Sequence, residues 1–165
     1  MDLIPKACFF TGHRIIAGDK KSMITSLVRQ EILSKINDGI MIFISGGALG
    51  FDTIAAEQVL SLRNDYDIRL CLYLPCRDQD AAWHLSDRNR FHDILSRADE
   101  IYYVTDGAYR QGCMKKRNSA MVEASDCGIA YMIKSPSGSA QTINLAKEKG
   151  IDIINIAELP YAMQL

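Results

Sequence analysis

The sequence lacks an excess of either charge. Nineteen Lys and Arg stand against 20 Asp and Glu, leaving −1 over 165 residues. With a sequence pI near 6.3, it does not read as a general binder of nucleic acid or of anionic membrane, which would need a basic surplus. It also lacks an apolar run approaching the roughly 18 residues of a membrane helix. Residues 1–6 hold no basic segment leading into an apolar one, so no signal peptide is expected. The five cysteines, Cys8, Cys71, Cys76, Cys113 and Cys127, are odd in number and form no Cys-x-x-Cys pair. That excludes a disulfide framework or a zinc ribbon and points to reduced, buried thiols in a cytoplasmic protein. Repeats, low-complexity tracts and long linkers are missing too. One domain is expected over residues 1–165, its core spanning about 7–156, with a surface tail after Leu159.

What is present is a regular alternation. Apolar segments at Ala7–Thr11, Ile40–Ser45, Arg69–Leu74, Glu100–Thr105, Gly128–Ile133 and Ile151–Ile156 read as strands. Amphipathic segments at Ser22–Asn37, Asp52–Arg63, Ser86–Ala98, Cys113–Ser125 and Ala140–Lys149 read as helices. Strands that are apolar throughout, alternating with helices, predict a parallel sheet covered on both faces. The expected fold is α/β: a Rossmann-like, three-layer α/β/α arrangement with a doubly wound, mostly parallel sheet of about six strands. Ligands of such sheets sit outside the carboxyl ends of the strands, where strand order reverses.

The loops at that edge carry the chemistry. Ser45-Gly46-Gly47, then Gly50, lie between a strand and a helix start, and predict a phosphate cradle made of backbone N–H groups. Asp52, in the first turn of that helix, is either a cap or an acceptor for sugar hydroxyls. Thr11-Gly12-His13-Arg14 ends the first strand. It offers a hydroxyl, a close backbone approach and a planar cation suited to phosphate. His13 is a candidate acid or base without an evident partner. Lys115-Lys116-Arg117 places three cations against a helix dipole, and Arg117 and Asn118, one turn inside, are the candidates to face the cleft. Residues 135–142, including Gly138 and Ser139, form a small-residue loop able to present N–H groups to an anion. Asp78, Asp80, His84, Asp87 and His92 cluster in sequence, but without a recognised ligand spacing, so no metal is expected. Trp83 is read as packing this loop or stacking on a base.

The order of these motifs resembles the YpsA-like proteins of the SLOG superfamily over about residues 7–156. The segments are Thr-Gly-His-Arg from residue 11, Ser-Gly-Gly-Ala-Leu-Gly-Phe-Asp from 45, Leu-Pro-Cys-Arg-Asp-Gln-Asp from 74 and Gly-Cys-Met-x-x-Arg-Asn from 112. That resemblance implies a Rossmann-like sensor or enzyme for nucleotides and nucleotide-derived ligands. Within the superfamily, the LOG phosphoribohydrolases carry Met-x-x-Arg-Lys, which Met114–Asn118 resembles, so Arg117 falls on the arginine assigned to catalysis. Their Pro-Gly-Gly-x-Gly-Thr-x-x-Glu loop is degraded here. Gly138-Ser139 match its Gly-Thr, but Thr142 stands where the glutamate belongs. A threonine cannot support an oxocarbenium-like transition state as a carboxylate does, so Asp52 or Glu123 would have to replace it.

The expected ligand is a nucleoside phosphate, ADP-ribose or an NAD-derived compound, held by a cytoplasmic binding protein for which a sensor role is open; a homo-oligomer is compatible with the sequence, as for many small Rossmann-like proteins, but is not shown by it. The alternatives are an N-glycoside hydrolase of nucleotides and a DprA-like binder of single-stranded DNA. The near-neutral charge and few clustered aromatics weigh against DNA.

Overall fold

The computed structural model describes residues 4–133 and 138–159. Six strands and five α-helices alternate along it: β1 (Lys6–Gly12), α1 (Lys21–Asn37), β2 (Ile40–Ser45), α2 (Phe51–Leu62), β3 (Arg69–Leu74), α3 (Leu85–Arg97), β4 (Glu100–Tyr103), α4 (Cys113–Glu123), β5 (Cys127–Tyr131), α5 (Gly138–Glu148) and β6 (Asp152–Asn155). Short 3₁₀ turns occupy Gly18–Lys20 and Ile156–Glu158. The strands form one sheet in the order β4-β3-β2-β1-β5-β6, and every pairing is parallel. No helix among the described residues is long and apolar enough to cross a membrane.

Strand alternation sorts the core into two layers. From β1, Cys8 and Phe10 join the layer under α1, α2 and α3, with Ile24, Leu27, Val28, Ile32, Ile54, Val59 and Ile94. Ala7 and Phe9 point the other way, to Met121 and Val122 of α4 and Ala146 of α5. Both faces of β1 are therefore buried, which is why its sequence is apolar without a polar alternate. All five cysteines are buried and free.

The chain builds outward from β1 to β4, then crosses back and builds from β5 to β6 on the other side. Strand order therefore reverses between β1 and β5, whose register pairs Thr11 with Ala130 and Gly12 with Tyr131. Boundaries differ from the sequence expectation by one or two residues at most ends. At α5 a two-residue difference matters: the helix already begins at Gly138, so Gly138 and Ser139 open a helix and do not sit in a loop. The rest of the small-residue segment, residues 135–137, lies outside the described residues, as does the tail after Leu159.

Candidate functional site

At the reversal point lies a cleft of about 260 Å³ lined by Thr11, Gly12, His13, Arg14, Ala48, Asp52, Arg117, Asn118, Met121 and Ser139. The ends of β1, the β2–α2 turn, α4 and the start of α5 thus meet as the topology requires. The Thr105–Gly112 connection contributes nothing to the lining, whereas the helix it leads into does.

Two charged side chains form its floor. Arg117 is 4% exposed and Asp52 5%. The Arg117 guanidinium donates through Nη1 to the carbonyl oxygen of Gly46, and through Nε to Asn118 Oδ1 at 2.8 Å. Its Nη2 faces the Met114 sulfur at 3.8 Å. A guanidinium has five N–H donors, so capacity remains for a ligand. Burial pulls the Arg117 pKa down, and the Asp52 charge opposes that. Burial pushes the Asp52 carboxyl up to about 6, against the pull of Arg117, the Ala48 N–H and Arg14. The neighbouring cations, Lys115 and Lys116, are exposed. Of the three adjacent cations, only Arg117 is carried inward.

Gly46 is what lets the two charges approach. A Cβ there would stand 2.5 Å from Arg117 Nη1, 2.8 Å from its Cζ and 2.9 Å from Asp52 Oδ2. Gly50, at φ 77°, lies against the chain leaving β1, where a Cβ would meet the Arg14 carbonyl oxygen at 2.4 Å. Gly12 makes room for the Phe51 ring, 2.5 Å from its would-be Cβ, so its bareness serves packing as well as the cleft it lines.

The turn expected to cradle an anion, Ser45, Gly46, Gly47 and Gly50, is occupied by internal contacts. None of the four lines the cleft. The Gly47 N–H donates to Ser45 Oγ at 3.2 Å, and Ser45 in turn donates to the Asp52 carbonyl oxygen. The Phe51 N–H, first of α2, donates to the His13 carbonyl oxygen at 3.0 Å. The Ala48 N–H donates to Asp52 Oδ2 at 3.3 Å. The turn is wrapped around an internal carboxylate, which takes the favourable place at the helix start. An external phosphate would meet that negative charge.

His13 also differs from expectation. Its Nε2 accepts from the Ile133 N–H at 2.8 Å, and its ring stands edge-on to Tyr131. The ring pins the exit of β5 to the exit of β1 and holds that nitrogen away from proton transfer. Arg14 is exposed at the cleft mouth, its Nη2 3.8 Å from the Met114 sulfur. Ser139 places the first turn of α5 at the cleft, and Thr142 is buried one turn on. Glu123 ion-pairs with Lys149 at the far end of α4, so Asp52 is the cleft's carboxylate. Of the acidic and histidine cluster, Asp80 takes Arg88 and His92, and Asp78 accepts from the Tyr109 N–H. Trp83 packs edge-on against Phe91. It also lines a small recess with Arg14, Ala48, Leu49, Gln79 and Met114. Ala48 and Met121 were not legible as lining residues, because their side chains carry no chemistry that sequence reading weighs.

A parallel, doubly wound sheet with a polar cleft at its switch point defines a Rossmann-like α/β domain. The sequence model of the YpsA family, described as the YspA SLOG family, matches residues 15–152, and the chain belongs to that family. It is 29% identical over 144 residues to a UPF0398 protein of Halalkalibacterium halodurans, covering 86% of this chain and 74% of that one. It is 29% identical over 130 residues to a UPF0398 protein of Bacillus thuringiensis, covering 77% and 71%. Among solved structures, it superposes on DNA processing protein A from Helicobacter pylori with a TM-score of 0.66 at 25% identity, over 90% of this chain. For DNA processing protein A from Streptococcus pneumoniae the TM-score is 0.65 at 18% identity, again over 90%. The chain spans 64% and 49% of those two larger chains.

Proposed function

We propose that the cleft binds a phosphate-bearing, nucleotide-like ligand (a nucleoside phosphate, ADP-ribose or an NAD-derived compound) and that the protein acts as a binding or sensor protein. One observation carries the reading. A buried arginine, Arg117, an exposed one, Arg14, and the first turn of α5 at Ser139 converge on a single cleft at the switch point. Cations and helix N-termini are the groups that hold phosphate. The phosphate belongs near Arg14 and Ser139, away from the Asp52 carboxylate. The test is a thermal-shift screen against nucleotides, ADP-ribose, NAD and cyclic dinucleotides, where a bound ligand raises the melting temperature by mass action. A flat response across the panel would reject the reading.

A hydrolytic second reading rests on Asp52. It places a carboxyl with a pKa raised to about 6 beside Arg117, the pair an N-glycoside hydrolase would need in place of the missing glutamate. Turnover of nucleoside monophosphates by purified protein, abolished by Asp52→Asn, would establish it. Binding without turnover would remove it.

A third reading rests on the Helicobacter pylori neighbour, whose structure concerns single-stranded DNA binding. Salt-dependent binding of a labelled oligonucleotide at moderate ionic strength would favour it over a small ligand.

A further inference from the structure

The two oxygens of Asp52 have different neighbours. Oδ2 lies over Gly46 and accepts the Ala48 N–H. Among the described residues no donor reaches Oδ1, and they hold no fully enclosed side-chain oxygen or nitrogen left unbonded. Oδ1 is therefore open to the cleft that Asp52 lines. A carboxylate that is 95% buried, by the 5% exposure above, with one open oxygen is a receptor for a hydrogen-bond donor. A phosphate oxygen offers none when ionised and is repelled by the same charge. A hydroxyl offers a donor and no charge. Bracing the turn and accepting a hydroxyl are thus both available to one residue, through different oxygens.

We infer that Asp52 is a specificity-determining residue that reads a hydroxyl of the ligand, so that the cleft takes a phosphorylated sugar unit in preference to a bare phosphate. This rests on the nucleotide-like reading and narrows it. The phosphate sits at Arg14 and the start of α5, and the sugar reaches down to Asp52 and Asn118. The volume of about 260 Å³ is below the roughly 300–1,000 Å³ of pockets that enclose drug-sized ligands. One sugar phosphate fits inside, and any base lies beyond the mouth. Arg117 keeps the carboxylate charged enough to accept, and Gly46 keeps the two groups side by side.

Calorimetric titration with inorganic phosphate, ribose 5-phosphate and its 2-deoxy and 3-deoxy analogues tests this. The wild-type chain is expected to bind ribose 5-phosphate at least tenfold more tightly than phosphate, and one deoxy analogue is expected to lose that advantage, because a site built around a hydroxyl penalises its absence. Asp52→Asn preserves the shape and an acceptor for Ala48. It is expected to bring the ratio close to one while phosphate binding holds or tightens. Equal binding of phosphate and ribose 5-phosphate by the wild type would overturn the inference but leave the phosphate site standing. An unchanged ratio in Asp52→Asn would also overturn it. If neither anion binds, the inference and the reading beneath it both fall. Should Asp52→Asn not fold, the deoxy series on the wild type decides alone.

Discussion

Asp52 and Arg117 face each other across the bare Cα of Gly46, and the Arg117 guanidinium donates to the carbonyl oxygen of that same glycine. This joins α4 to the β2–α2 turn at the floor of the cleft. Two buried charges 65 residues apart in the chain are brought to one place across a residue with no side chain. Desolvation of both groups is offset only while both are present.

Gly46→Ala is expected to break this arrangement. The added methyl would sit 2.5 Å from Arg117 Nη1, and overpacking of this kind costs about 1–3 kcal/mol. Urea unfolding should show a lower midpoint with an unchanged slope, and ligand-induced stabilisation should vanish.

Gly50→Ala is expected to do more damage. The residue has φ 77° and its Cβ would meet backbone oxygens of His13 and Arg14 at 2.5 and 2.4 Å. Backbone cannot step aside as a side chain can. The Gly50 φ of 77° with ψ −120° is a backbone conformation that a residue with a Cβ rarely adopts, and this adds to the clash, so the variant should melt far below the wild type or fail to accumulate in folded form.

Arg117→Ala leaves the Asp52 carboxylate buried without its cation. Removing it leaves the buried Gly46 carbonyl without its donor and Asp52 without the nearby cation, which costs about 1–3 kcal/mol, and Asp52 should then titrate above about 6. Double substitution to Asp52→Asn and Arg117→Ala should recover part of that loss. Denaturant melts of the four proteins give the coupling directly.

The pH dependence has a definite sign. The Asp52 carboxyl is raised from 3.8 to about 6 in the fold, so the folded state holds this proton more tightly than the unfolded chain does. The contribution of Asp52 is therefore most favourable below pH 4, declines as pH rises from about 4 to 6, and is constant above that. The decline is about 3 kcal/mol at most. The stability of Asp52→Asn relative to wild type should accordingly grow across pH 4–6 and then level off. A difference that is flat in pH would contradict the raised value.

Much of this was legible from sequence because local patterns decided it. The uniformly apolar segment at Ala7–Thr11 could only be a doubly covered strand, and both faces of β1 are indeed buried. Arg117 was singled out because a cation at a helix start breaks a local rule, and it is the one cation of that run found buried. The role of the Ser45-Gly46-Gly47 turn was not legible. Glycine between strand and helix reads the same whether it admits a ligand or a side chain from elsewhere, and only the fold brings Arg117 over Gly46. The same holds for His13, whose partner, the Ile133 N–H, lies 120 residues away.

The proposed function puts a phosphate-bearing ligand in the Arg117–Asp52 cleft. Backbone chemical-shift mapping of the isotopically labelled protein, titrated with the best ligand from the thermal screen, tests it most directly. Shifts are expected at Gly12, His13, Arg14, Ala48, Asn118 and Ser139, all lost in Arg117→Ala. Shifts centred elsewhere, or unchanged by that substitution, would contradict it.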